Sequence, residues 1–83
     1  MAAQDRVYEI NAIAKEIHTD SSKNITAEAH EKLAELQVLD EEIRNTTLNS
    51  TERIANEKKQ QELYSDIAEL LNQIKKEKSS IAK

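Results

Sequence analysis

The stretch Arg44 to Glu52, RNTTLNSTE, decides the fold. If it is helical, residues 27 to 78 form one rod of roughly 75 Å at about 1.5 Å per residue; if it breaks, the chain folds back on itself. Upstream, Ala29, Leu33, Leu36, Leu39 and Ile43 recur at helical spacing; downstream, Leu63, Ile67, Leu70 and Ile74 do the same. On a straight helix turning about 100° per residue these two stripes point to nearly opposite sides, so a continuous rod would bury one and expose the other. NTTLNST also contains a single good helix former, Leu48, among residues that compete for backbone hydrogen bonds. A turn within residues 45 to 50 resolves both problems. Asn45 or Asn49 can supply a left-handed residue where glycine is absent, and Asn49 followed by Glu52 fits a capping box that opens the next helix.

Working outward, Ala3, Val7, Ile10, Ala14 and Ile17 follow a 4-3-4-3 spacing, with Ile13 beside them and Asp5, Glu9, Lys15 and Glu16 off the stripe. This predicts an amphipathic helix ending near His18 to Asp20, where TDSSKN gathers capping and turn residues. The second helix is expected to begin at Thr26 as its N-cap, with Ile25 as a staple residue and Glu28 in the first turn. The third carries Leu63, Ile67, Leu70, Ile74 and Ile81, flanked by Tyr64 and Leu71.

The expected fold is therefore all-α, a single domain over residues 1 to 83: an up-down-up three-helix bundle with helices at about 3–19, 27–45 and 50–79. Its core should contain Leu33, Leu36, Ile67, Leu70 and Ile74. The first helix is too short to cover the longer hairpin made by the other two. Residues 41 to 60 should project as a polar tip with only Ile43, Leu48 and Ile54 as apolar contacts.

Composition limits the chemistry. A chain of 83 residues buries only about 60 to 65% of the surface that its unfolded form exposes, which leaves a narrow margin of stability. The absence of Gly and Pro removes helix breakers and excludes glycine-rich phosphate loops; the absence of Cys removes disulfides, thiolate nucleophiles and thiolate zinc sites. Residues 1 to 57 hold 6 Lys/Arg against 12 Asp/Glu, and residues 58 to 83 hold 6 against 4, which together give the net charge of -4. An acidic chain gains little from phosphate counterion release, so a protein partner is expected ahead of nucleic acid. No apolar run approaches the roughly 18 residues that a membrane span needs, and MAAQDRVYEI has neither half of a secretory signal, so a cytoplasmic location is expected. The triplets at Asn24, Asn45 and Asn49 match the glycosylation pattern but fall where caps and turns are expected.

Candidate site residues are few. His18 and His30 lack further ligands at metal spacing, so neither a metal nor a cofactor is expected. His30 lies on a helix beside an apolar stripe, as a phosphotransfer histidine would, but without the Lys-Gly pattern that follows such a histidine. Asp40, Glu41 and Glu42 are consecutive and fan around a helix instead of forming an acid/base pair. The lysines of KKEK at 75 to 78 complement a helix C-terminus, which explains them before any contact with an acidic membrane surface or nucleic acid. With no nucleophile, base and orienter to combine, the chain is expected to be a non-enzymatic interaction module: an adaptor, regulator, inhibitor or chaperone-like protein acting through helical surfaces. Partner contact is expected at Asp40, Leu48, Ile54, Tyr64, Leu71 and Ile81. The alternative is a coiled-coil hairpin that homodimerises into a four-helix bundle, and a minor alternative is phosphotransfer through His30.

Overall fold

The computed structural model describes residues 2 to 45 and 49 to 81. They form three helices, α1 (Ala3–Ile17), α2 (Asp20–Asn45) and α3 (Ser50–Ile81), which pack against one another as a three-helix bundle. The expected architecture is present, with α2 ending at Asn45 and α3 starting at Ser50. Leu48 lies outside the described residues, and α3 opens as expected: Asn49 Oδ1 accepts a hydrogen bond from the Glu52 backbone N–H at 2.8 Å. Asn45 is the last helical residue of α2.

The start of α2 differs from expectation. TDSSKN is not a loop: helix begins at Asp20, and Thr19, not Thr26, is the residue that caps it. Thr19 Oγ1 accepts from the Ser22 N–H at 3.0 Å, while the Thr19 N–H donates to Ser22 Oγ at 3.1 Å. This is the reciprocal pattern of a capping box with serine in the place of the usual Glu or Gln. Ser22 Oγ also donates to the Thr19 carbonyl at 2.8 Å, so the hydroxyl is satisfied despite complete burial. Thr26 lies inside the helix and returns its hydroxyl to the Ser22 carbonyl at 2.8 Å. The triplet at Asn24 is consequently helix interior and not a cap.

The connection between α1 and α2 is only two residues long, and His18 makes it possible. Its backbone is left-handed (φ 48°, ψ 37°), and its N–H donates to the Ala14 carbonyl at 3.0 Å. Among the described residues it is the non-glycine residue with positive φ, a conformation that costs an L-residue about 1–2 kcal/mol. His18→Gly is therefore expected to raise the unfolding free energy by about 0.5–1 kcal/mol, the relief of strain exceeding the added freedom of the unfolded chain. A higher urea midpoint with unchanged slope would show it.

Polar pairs between the elements fix the register. Thr19 Oγ1 donates to Glu77 Oε1 at 2.6 Å, His30 Nε2 meets Asn11 Oδ1 at 3.0 Å, Lys32 meets Asp66 at 3.2 Å, and Gln60 donates to Asp40. α1 thus runs parallel to the C-terminal half of α3 and antiparallel to α2. Ion pairs of Glu9 with Lys75 (3.6 Å) and Glu16 with Lys78 (2.6 Å) line the α1–α3 seam, so two lysines of KKEK face carboxylates of α1.

One apolar cluster fills the space between the three helices. Val7, Ile10, Ala29, Ile67 and Ile74 are nearly or wholly inaccessible, and Leu36 and Leu70 are buried with them. Leu33 is only partly buried against this cluster, because it lies toward the edge of the α2 stripe. The buried part of the hairpin stops at Leu39 on α2 and Leu63 on α3, the level that Ala3 reaches on α1. Beyond it the molecule is drawn out to 52 × 20 × 15 Å, which matches the roughly 48 Å length of the 32-residue α3.

Candidate interaction surface

The six residues expected to meet a partner separate into three groups. Ile54 and Ile81 are exposed, at 64% and 51%. Tyr64 is half-buried against the core, and Leu48 lies outside the described residues. Asp40 and Leu71 are engaged within the molecule. Leu71 is only 6% exposed and belongs to the core, because α3 packs on both α1 and α2 and needs a wider apolar face than a single stripe supplies. Asp40 is half-buried and accepts the Gln60 amide, which clasps α2 to α3 just beyond the last apolar layer.

Val38, which lies off the α2 stripe, stands out instead. It is 55% exposed on the face of α2 turned away from the core. With Ala34 and the edge of Leu39 it floors an open groove of about 630 Å³ between α2 and α3. Glu31, Glu35 and Glu42 rim the α2 side, and Asn56 and Lys59 close the α3 side. The signal was present in the sequence as a second stripe, Ala27, Ala34 and Val38, running at 7- and 4-residue intervals behind the first.

A second groove of about 420 Å³ lies at the other end of the same helix, between α1 and α2. Its floor is built from small side chains, Ala14, Ser22, Thr26 and Ala27, and its rim from Lys15, His18 and Lys23. The two grooves have opposite electrostatic character: carboxylates predominate at the first and cations at the second.

The remaining polar groups explain local stability. Lys32 donates to Asp66 across the α2–α3 seam, and this bond, with the nearby Asp66, Glu28 and Glu35 charges, raises the lysine pKa above its ordinary 10.5 despite opposing desolvation. A raised cation stabilises the fold fully below the ordinary value and ceases to do so as the pH rises through the raised one. Lys32→Met should therefore cost less than about 1 kcal/mol at neutral pH, given the partial exposure of both partners. In paired urea titrations the difference from the unaltered protein should shrink above about pH 10.5.

His30 is exposed, and its Nε2 lies 3.0 Å from Asn11 Oδ1, within hydrogen-bond distance. Among the described residues no group of three or more His, Cys, Asp or Glu side chains is placed to hold a metal ion, and no helix is long and apolar enough to cross a membrane. No protein-family model, curated protein or solved structure matches the chain.

Proposed function

We propose that the protein is a small non-enzymatic interaction module that binds another protein, or a second copy of itself, through the outer surface of the α2–α3 hairpin. The observation that carries this reading is Val38: an exposed branched apolar side chain over a groove with an apolar floor and a charged rim, on a face that the core does not use. Ile54 is a second exposed branched side chain, on the part of the hairpin that α1 does not cover and apart from this groove. The hydrogen bond that occupies His30 Nε2 favours a structural role for this histidine over phosphotransfer.

Self-association by exchange of α1, which would rebuild the hairpin core as a four-helix bundle, has less support. α1 already closes that core, with Val7 and Ile10 at 1% and 0% exposure, so exchange would first have to expose it. Association through the outer faces leaves this packing intact.

The test is affinity capture from native host extract with the unaltered protein and with a Val38→Lys, Ile54→Lys variant whose helicity is checked by circular dichroism. A partner retained by the first and lost by the second is the expected result. The reading fails if the unaltered protein retains no partner and does not self-associate.

A further inference from the structure

We propose that the partner of the α2 outer face is the same face of a second copy, packed antiparallel about a two-fold axis so that Val38 of each chain enters the small-residue groove around Ala27 of the other. This rests on the interaction-module reading and names its partner.

Three features of α2 point to this occupant. Ala27, Glu31, Ala34 and Val38 follow a 4-3-4 spacing and are all exposed, so they form a single strip along the helix. The strip has an exposed branched apolar side chain at one end, Val38, and at the other a groove of about 420 Å³ floored by alanines, threonine and serine. Val38 and Ala27 lie 11 residues apart on one helix, about 16 Å, so a single chain cannot bring them together, whereas two antiparallel copies do so twice.

Charge selects the same arrangement. The groove end carries Lys15 and Lys23, and the Val38 end carries Glu35 and Glu42. A parallel pairing would oppose like charges. The antiparallel register that seats Val38 at Ala27 also sets Lys23 against Glu42 and Ala34 against Glu31, in both symmetric halves. Because the contact is isologous, it closes at two copies and does not propagate into filaments.

The available area sets the strength. A 26-residue helix is about 39 Å long, and a strip about 10 Å wide along it covers roughly 400 Å² per partner, about half of what a standard specific complex buries and in the range of weak, transient contacts. The dimer is accordingly a weak, concentration-dependent one in the micromolar range.

The chain contains no cysteine, so single substitutions report the register directly. Equimolar Ala27→Cys and Val38→Cys proteins, mixed and oxidised, should form a mixed disulfide. Each alone should not, because its thiols would sit about 16 Å apart, beyond the roughly 7 Å that a disulfide spans. In sedimentation equilibrium Val38→Lys should weaken the dimer by about tenfold. Lys23→Glu and Glu42→Lys should each weaken it, and the two together in one chain should restore it. The inference is overturned if the protein stays monomeric up to roughly 500 µM, or if the mixture gives no more disulfide than the single variants. Host capture that depends on Val38 together with a monomeric mass would overturn this inference alone. Absence of both would remove the interaction-module reading as well.

Discussion

Ile67→Ala is expected to lower the unfolding free energy by about 3–4 kcal/mol. Ile67 is wholly inaccessible, lies midway along the part of α3 that α1 and α2 jointly cover, and belongs to the one cluster that unites the three helices. Shortening it removes buried apolar area and leaves a cavity that rigid helices on two sides cannot collapse into. A domain of 83 residues has a total stability of about 4–12 kcal/mol, so this one change removes a quarter or more of it. Urea unfolding followed by circular dichroism would show a large fall in midpoint at constant slope. Ile54→Ala, on the same helix but exposed, is the control and should shift the midpoint hardly at all. Equal losses at the two positions would mean that α1 does not cover α3 as described.

The second large effect is expected at Thr19. Its hydroxyl accepts from the Ser22 N–H and donates to Glu77, so one oxygen caps α2 and ties the far end of α3 to it. Among the described residues Glu77 Oε2 is buried with no hydrogen-bond partner, and the Thr19 bond to Oε1 ties the carboxylate to this end of the bundle. Thr19→Ala removes a cap worth about 1 kcal/mol and leaves the second carboxylate oxygen unpaired as well, for a total near 2–3 kcal/mol. A double-mutant cycle separates the two contributions. In a Glu77→Met background the same Thr19→Ala change should cost only the cap, about 1 kcal/mol, giving a coupling of about 1–2 kcal/mol. Thr19→Ser, which keeps the hydroxyl, should lose little. A coupling near zero would mean that Thr19 serves α2 alone.

Much of this architecture was readable from spacing. The 4-3 stripes of α1 and α2 and the set Leu63, Ile67, Leu70 and Ile74 defined the core, and the change of phase between α2 and α3 required the break that lies between Asn45 and Ser50. The N-terminal part of α2 was not readable in the same way. Propensity marks Asp20 to Asn24 as poor helix, but that preference is small per residue and is outweighed by what the segment does in place. Ser22 closes the cap, Ile25 joins the core, and Thr19 reaches Glu77, a residue 58 positions away. The Thr19–Ser22 spacing was the local clue, obscured because serine seldom fills that position of the box. Of the candidate surface, Ile54 and Ile81 are exposed, although Ile81 continues the spacing of the α3 stripe, while Leu71 is buried in the core beside Leu70. Val38 was missed because its companions Ala27 and Ala34 are too small to register as a hydrophobic face until the groove beside each is visible.

The mismatch in helix length gives α3 two unequal halves. From Leu63 to Ile74 its backbone hydrogen bonds are sheltered by packing on two neighbours; from Ser50 to Gln60 they are open to solvent on most sides. Opening the first half requires global unfolding, whereas the second can fray with the end of α2 at little cost. A single unbroken helix therefore spans a gradient of amide protection, steep near Gln60. The Asp40–Gln60 clasp stands at that boundary, as the last polar tie before the hairpin leaves the cover of α1.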